Sequence, residues 1–462
     1  MTHAGRACFN VRDDSIDEMD RRVVALPTQV VAHPMRRAVF TIVVLGGLIG
    51  DAVGQAPPRP DVQSFEASET IAAPSAEPGL TLGDLTFMAQ TGNPALREAS
   101  AKVGVAQGQA LQVGMVPNPT FYTASPQWAG SISQYNWFVG QDFITAGKLR
   151  LSRSAAMRGV EQAQLDLTRT RFEVLTAVRR QFYATAAAQR RVEVLNELTG
   201  IAGQSRDVGR KLLKAGETNR ADSTLLEIEY DRALMAQQNA EALLATARME
   251  LAAAVGVPDL EIGNLAFDLE RSLPEYDLEA VRRGVVDTNA VAGAAAVEIQ
   301  RTQTLLRRAI AEPWPNFNLQ GGYQYSVEGP RNDQGIAQLS MVVPLWNRNQ
   351  GNIRAARADT VRAVAALGRV ENELSQQTAQ ALGQYIAADR RATIYRDQIL
   401  PKAHDVLKTN RSLFEQGQTD FLRLLQSQRT LIEADLGYLD AQEARWTAAA
   451  VIAGLLQLEE FP

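Results

Sequence analysis

Cysteine and histidine are almost missing from this chain. The single cysteine is Cys8, and of the three histidines His3 and His33 also lie in the first 34 residues. After them come Met35-Arg36-Arg37, the apolar run Ala38 to Ile49, and Ala52-Val53-Gly54-Gln55-Ala56. A short basic start, an apolar stretch and small residues at the last and third-last positions have the order of a secretory signal cut after Ala56. Asp13, Asp14 and Glu18 suit a signal poorly, which points to Met35 as the working start. The exported chain is then expected to hold no cysteine and one histidine, His404. That excludes a disulfide framework, thiolate or multi-histidine metal sites, and the usual Cys-His and Ser-His nucleophiles. With no cysteine just after the apolar run, a lipid anchor is also disfavoured.

Other absences narrow the function further. The Ala38 to Ile49 run, about a dozen residues, falls short of the roughly 20 that a membrane-spanning helix needs. Lys and Arg total 47 against 52 Asp and Glu, a net charge of -5, and the basic residues are interleaved with acids rather than clustered, so no nucleic-acid partner is expected. There is no Gly-rich phosphate loop, no Gly-x-Ser-x-Gly elbow and no convincing acid pair. The carboxylates sit on helix faces, where solvated ion pairs are the default. The expectation is a protein that is not an enzyme and carries no cofactor.

What is present is helix-forming sequence. The chain is 45% hydrophobic and 21% charged, too polar for a helical membrane bundle and ample for a core. From about residue 82, Ala, Leu, Gln, Arg and Glu run in long tracts with few glycines or prolines. Residues 1–56 read as the signal region and 57–80 as a linker, its Ala56 to Pro78 part rich in Pro, Ala, Ser and Glu.

The remainder repeats at an offset of about 200 residues: a first repeat over 81–256, a connection over 257–277 and a second repeat over 278–462. In each, a helix of roughly 30 residues ends at a proline-flanked break, Pro117-Asn118-Pro119-Thr120-Phe121 and Pro313-Trp314-Pro315-Asn316-Phe317. Two strand-like segments follow. A very long helix then opens at Ala146-Gly147-Lys148-Leu149-Arg150 and at Asn349-Gln350-Gly351-Asn352-Ile353-Arg354. Turns at Leu213 to Thr218 and Phe414 to Thr419 lead into returning helices.

In the second repeat the strands alternate cleanly. Phe317, Leu319, Gly321, Tyr323, Tyr325 and Val327 fall on one side; Asn316, Asn318, Gln320, Gly322, Gln324 and Ser326 fall on the other. The partner strand sets Ala337, Leu339, Met341, Val343 and Leu345 against Gln338, Ser340 and Val342. A lipid-facing barrel with a wet lumen has this pattern, in which Asn316, Asn318, Gln320, Gln324, Gln338 and Ser340 face the lumen. A soluble amphipathic hairpin has it too. In the first repeat the alternation is blurred over Thr120 to Ser125 and Asn136 to Ile144.

The long helices shift the balance. Gly147 to Leu213 spans on the order of 100 Å at 1.5 Å per residue, a length no ordinary globular domain needs. Phe172, Leu175, Val178 and Phe182, and then Val361, Val364, Leu367, Val370 and Leu374, recur at coiled-coil spacing and read as packing seams. Pro401 in the second helix and Gly200 and Gly203 in the first mark a bend at one height, either the narrowing of a tube or a packing kink. Four strands cannot close a barrel, and an open edge in lipid costs several kcal/mol per unpaired backbone group, roughly. Self-association is therefore expected, and three copies give twelve strands and the helices of a tunnel.

At Val116-Pro117-Asn118-Pro119, Gly147-Lys148 and Val343-Pro344-Leu345-Trp346-Asn347-Arg348-Asn349-Gln350-Gly351-Asn352, within this duplication, the sequence resembles the TolC family of outer-membrane efflux proteins from Leu82 onward. The last run looks like the branch that serves cobalt-zinc-cadmium and copper-silver resistance pumps. The resemblance implies a mainly α fold with a small transmembrane β part: duplicated long-helix hairpins plus four strands per chain, and a homotrimer with a 12-stranded barrel in outer-membrane lipid over a periplasmic helical tunnel. It also implies two partners, a periplasmic membrane-fusion adaptor and an inner-membrane resistance-nodulation-division pump. Gly216, Glu217, Thr218, Gly417, Gln418 and Thr419 would form the tips that meet the adaptor; glycine tolerates the positive φ of a helix reversal, and Thr218 and Thr419 are placed to cap the returning helices. Asp222 falls at an acidic gate position of the family and Phe414 at an aromatic one. Arg423 and Gln426 depart from the pattern, standing where TolC has carboxylates, which puts a cation-selective gate in doubt; an Arg423 ring would favour anions or latch to Asp222.

The expected cargo is heavy-metal cations, with drugs or small molecules second and type I protein secretion third. Outside the class, a periplasmic adaptor or structural coiled-coil protein is disfavoured by the two matched halves, and a trimeric adhesin anchor by strand pairs lying about 200 residues apart.

Overall fold

The computed structural model describes residues 79–462 except 128–132, 217, 274–275, 328–332, 417, 420 and 462. The signal, its start at Met35, its cut after Ala56 and residues 57–78 of the linker lie outside the described residues.

The first half runs α1 (Leu82–Gly92), α2 (Pro94–Gln112), β1 (Thr120–Gln127), β2 (Gln134–Phe143), α3 (Lys148–Ala215) and α4 (Arg220–Val255). The second runs α5 (Leu278–Thr288), α6 (Ala290–Ala311), β3 (Phe317–Ser326), β4 (Gln334–Met341), α7 (Gln350–Ile394), a π-helical turn (Tyr395–Ile399), α8 (Leu400–Glu415) and α9 (Phe421–Leu455). No described helix is long and apolar enough to cross a membrane.

The expected opening helix of roughly 30 residues is in fact two helices in each half. One residue leaves helical dihedrals, Asn93 at φ -65°, ψ 125° and Asn289 at φ -68°, ψ 131°. Each asparagine caps the helix that follows, its Oδ1 accepting from Ala95 N–H and from Val291 N–H at 2.9 Å. Each also donates from Nδ2 to the end of the returning helix, Asn93 to the Ala254 and Val255 carbonyls at 3.2 Å and Asn289 to the Leu455 carbonyl at 3.0 Å. The orphan carbonyls of one helix end are thus satisfied by the break in another.

The long helices open on a left-handed residue in both halves, Gly147 at φ 66° and Asn349 at φ 63°. The equivalent of Gly147 is therefore Asn349 and not Gly351, which lies in the first turn of α7; asparagine is one of the few residues with a side chain that visits this region readily. At the positions where a shared bend was expected, the two halves differ in local structure. α3 runs as unbroken α-helix through Gly200 and Gly203, whereas the second half has the π turn just before Pro401. Proline lacks the N–H that would bond four residues back and its ring crowds that carbonyl; a π turn accommodates both. Gly437 of α9 lies against the Tyr395 ring, where a Cβ would come within 2.5 Å of the hydroxyl.

Two buried clusters hold the helices together. In one, Leu85 and Ala89 of α1, Val178, Phe182 and Tyr183 of α3, Leu251 and Val255 of α4 and Trp446 of α9 close on each other. Trp446 stacks on Tyr183 at 4.8 Å and donates Nε1–H to the Leu269 carbonyl at 2.9 Å. In the other, Val285 of α5 meets Leu382 and Tyr385 of α7 and Ile452 of α9. α9 serves both clusters. The first predicted stripe, Phe172, Leu175, Val178 and Phe182, is buried as expected. The second is buried only from Val370 and Leu374 onward; Val361 and Val364 are 70% and 54% exposed in the single chain.

Candidate functional site

The two hairpins, far apart in sequence, join in one antiparallel sheet of order β1-β2-β3-β4, with β1 and β4 as its edges. The β2–β3 register runs unbroken from Gln134↔Ser326 to Phe143↔Phe317, and it sorts the residues by face. One face carries Phe121, Tyr135, Trp137, Val139, Phe143, Phe317, Leu319, Tyr323, Tyr325, Leu339 and Met341, with Trp137 stacked near Tyr323 at 6.3 Å and Phe143 on Phe317 at 4.9 Å. The other carries Gln134, Asn136, Asp142, Asn318, Gln320, Gln324, Gln338 and Ser340. The apolar face is open to solvent, and along β3 every apolar residue is exposed while each polar neighbour is partly covered. A soluble hairpin places its apolar side inward, so this inversion decides between the two readings of the alternation.

Asn318, Gln320, Gln324, Gln338 and Ser340, the residues expected to face a lumen, share this polar face. Asn316 lies outside the strands. It precedes β3, and its Oδ1 accepts from Lys148 Nζ at 2.9 Å and from Thr145 N–H at 3.2 Å. Lys148, 2% exposed, also donates to the Trp314 carbonyl at 2.6 Å, and burial holds its ammonium below the usual lysine range. The start of α3 is thereby pinned to the entry of β3. The partner strand also ends earlier than its alternation implied, at Met341, because Pro344 has no N–H to extend the ladder.

At the opposite end of the long helices, Gly216 closes α3 at φ 77°. The cap of α4 is Asn219 rather than Thr218: its Oδ1 accepts from Asp222 N–H at 2.8 Å. Thr218 instead donates to the Asp222 carboxylate at 3.4 Å, and Thr419 Oγ1 has no hydrogen-bond partner among the described residues. Gln418 N–H bonds back to the Leu413 carbonyl at 2.8 Å. Glu217, Gly417 and the Phe414 side chain lie outside the described residues. Arg423 and Gln426 are exposed, and within one chain no ion pair joins Arg423 to Asp222.

Sequence reasoning missed the ties just above these reversals. Arg206 stacks over the Tyr230 ring at 4.1 Å, and Arg210 pairs with Glu227 at 2.8 Å. Arg429 of α9 pairs with Glu229 of α4, its Nε 3.1 Å from Oε2. The two residues stand 200 apart, at the repeat offset, and that spacing was the signal available to find them.

No group of three His, Cys, Asp or Glu among the described residues could hold a metal ion. The arrangement is a sheet with one apolar and one polar face, joined to two long helical hairpins.

Comparison with known proteins agrees. Residues 291–456 match the family model "Outer membrane efflux protein". The chain is 24% identical over 379 residues to the cobalt-zinc-cadmium resistance protein CzcC of Cupriavidus metallidurans, covering 82% of this chain and 90% of that one. Among solved structures, CusC superposes with a TM-score of 0.70 at 16% identity, over 81% of this chain and 91% of CusC. The outer membrane protein VceC from Vibrio cholerae gives 0.67 at 17% identity, over 81% and 96%. With its sheet turned apolar side out and its duplicated helical hairpins, the chain carries an outer membrane efflux protein domain over residues 291–456 and shares the fold of these outer-membrane channels.

Proposed function

We propose that three copies of this chain form one passive exit duct, in which three four-stranded sheets close a twelve-stranded barrel and the long helices continue it as a tunnel into the periplasm. The observation that carries this reading is the sheet itself, apolar outward, polar inward and with β1 and β4 left as free edges. Each unpaired backbone group in lipid costs several kcal/mol, roughly, so β4 of one copy pairs with β1 of the next. The exposed Val361 and Val364 of α7 support the same assembly, as a seam awaiting a neighbouring helix.

In this reading the chain has no chemical step of its own. An inner-membrane resistance-nodulation-division pump supplies the energy, and a periplasmic adaptor docks at the tips, Gly216 to Thr218 and Gly417 to Thr419. Asp222, Phe414, Arg423 and Gln426 narrow the passage there. The cargo is metal cations of the cobalt, zinc and cadmium class, a reading supported by the likeness to CzcC.

The mass of the particle extracted from the outer-membrane fraction in mild detergent tests the assembly. Three chains are expected, and a monomer overturns the duct. Deletion of the gene tests the cargo: metal tolerance should fall, whereas unchanged tolerance with raised drug sensitivity would assign the duct to drugs.

A further inference from the structure

The four strands contain one charged side chain, Asp142. It sits on β2 one residue from the tunnel-side end, directly opposite Asn318 of β3. That register puts it on the polar face with Gln320, Gln324, Gln338 and Ser340. Its carboxylate is exposed and is held by the Asn318 amide, which donates to Oδ1 at 2.7 Å. The rest of this wall is uncharged, made of amide, hydroxyl, glycine and aromatic groups with the aliphatic Ala124 and Ile336, and Tyr122 stacks on Phe138 at 5.0 Å. A fixed charge on an otherwise neutral wall sets the sign of the potential there without a competitor in the strands.

We infer that Asp142 is a selectivity residue of the duct: three copies form a carboxylate ring where the tunnel opens into the barrel, favouring cations over anions at that level. This inference rests on the trimeric barrel proposed above. Twelve strands about 4.8 Å apart and tilted about 40° give a backbone radius of roughly 12 Å. A carboxylate reaching a few Å inward then lies about one Debye length, ~8 Å at physiological salt, from the axis. Its field is felt across the lumen at this height and fades along the wall. The ring also bears on the sign of the passage as a whole: whatever Arg423 does at the far end, cations meet a favourable potential at the barrel.

A thiol-reaction assay reads the local potential independently of any constriction at the tips. Cys8 is replaced by Ser, so that an introduced thiol stands alone. Ser340→Cys, opposite Asn318 on the inner face, is then treated in outer-membrane vesicles with a trimethylammonium-bearing or a sulfonate-bearing methanethiosulfonate. The ratio of cationic to anionic reaction rates should fall by about threefold or more when Asp142→Asn is added, a change that leaves an acceptor for the Asn318 amide. Asp142→Lys should invert the ratio. At Gln324→Cys, roughly 20 Å along the strand, the effect should be lost. An unchanged ratio at Ser340→Cys in both Asp142 variants, with the trimer mass intact, overturns the assignment of Asp142 alone. Equal reactivity of Leu339→Cys on the opposite face toward these water-borne reagents would instead sink the barrel reading.

Discussion

Asn93 and Asn289 each use both ends of one carboxamide, capping the following helix with the oxygen and closing the end of a returning helix with the nitrogen. Replacing either by alanine removes a cap and leaves a helix-end carbonyl unpaired. A loss of about 1–2 kcal/mol per site is expected, read as a lower unfolding midpoint in detergent, with trimers still forming. Gly256 faces the first of these joints at φ 93°, where a Cβ would lie 2.9 Å from the Asn93 Cα. The break was not legible in the sequence because only one residue departs from helical geometry, and the reason it departs is a carbonyl about 160 residues away. The same limit explains Asn349. Its left-handed φ is imposed where the chain enters α7, with its Nδ2 donating to the Ala309 carbonyl at 2.8 Å, whereas glycine, the residue type that marks such a conformation in sequence, stands two positions later at Gly351.

At the scale of the elements, the clean alternation of the second hairpin was legible and that of the first was not. The reason is where the aromatic rings go. Tyr122 and Phe138 occupy the polar face, and Phe138 lies across Gly322, where a Cβ would come within 2.4 Å of the ring. Gln141 meanwhile sits on the apolar face opposite Leu319. Residue type thus misreports face at these positions, as it does at Thr123 opposite Trp137, and only the register restores it. Gly322→Val should drive Phe138 off the wall and weaken β2–β3 pairing, lowering the fraction of heat-resistant trimer on gels, while Gly321→Val, with nothing within 4 Å of its Cβ position, should not.

α9 offers a pH test. Asp435 lines a cleft of about 460 Å³ with Arg190, Glu193, His404 and Tyr438, and burial pushes its carboxyl above the usual range against the opposing pull of His404 and Arg190. A proton held in the folded chain at a pH where the unfolded chain has released it stabilises the fold at low pH, and that contribution is lost as pH rises through the folded value. Asp435→Asn should therefore gain stability relative to the parent as pH rises from about 4, the ordinary carboxyl value, and a difference in unfolding midpoint that stays flat as pH is raised from there would refute it.

For the whole molecule, the duplication and the long helices were written in the sequence, because periodicity and length survive without coordinates. The surroundings of Asp222 were not. Asp222 turns out to bond to the local cap, and the ties that cross between the halves, Arg429 to Glu229 among them, came only with the fold. Two variants probe the assembly at this scale. Leu339→Arg places a charge on the lipid face and should cost about 2–4 kcal/mol if it lies near the bilayer midplane, emptying the outer membrane of trimer. Bulky residues at both Gly216 and Gly417 should do the reverse, leaving trimers in place while efflux stops; normal efflux would remove the docking assignment.

Arg179 lies in the middle of α3, 2% exposed, and its guanidinium donates to the Leu458 carbonyl at 2.9 Å and the Glu459 carbonyl at 2.6 Å while facing the Phe461 ring at 5.3 Å. Those acceptors are made some 280 residues after the arginine that needs them. A chain built from its N-terminus therefore makes α3 with a cation it cannot yet bury, and the packing around Tyr183 and Trp446 waits for nearly the whole sequence. A chain cut before residue 458 keeps that cation without its two carbonyls, so the turn past α9 completes a core begun in α3.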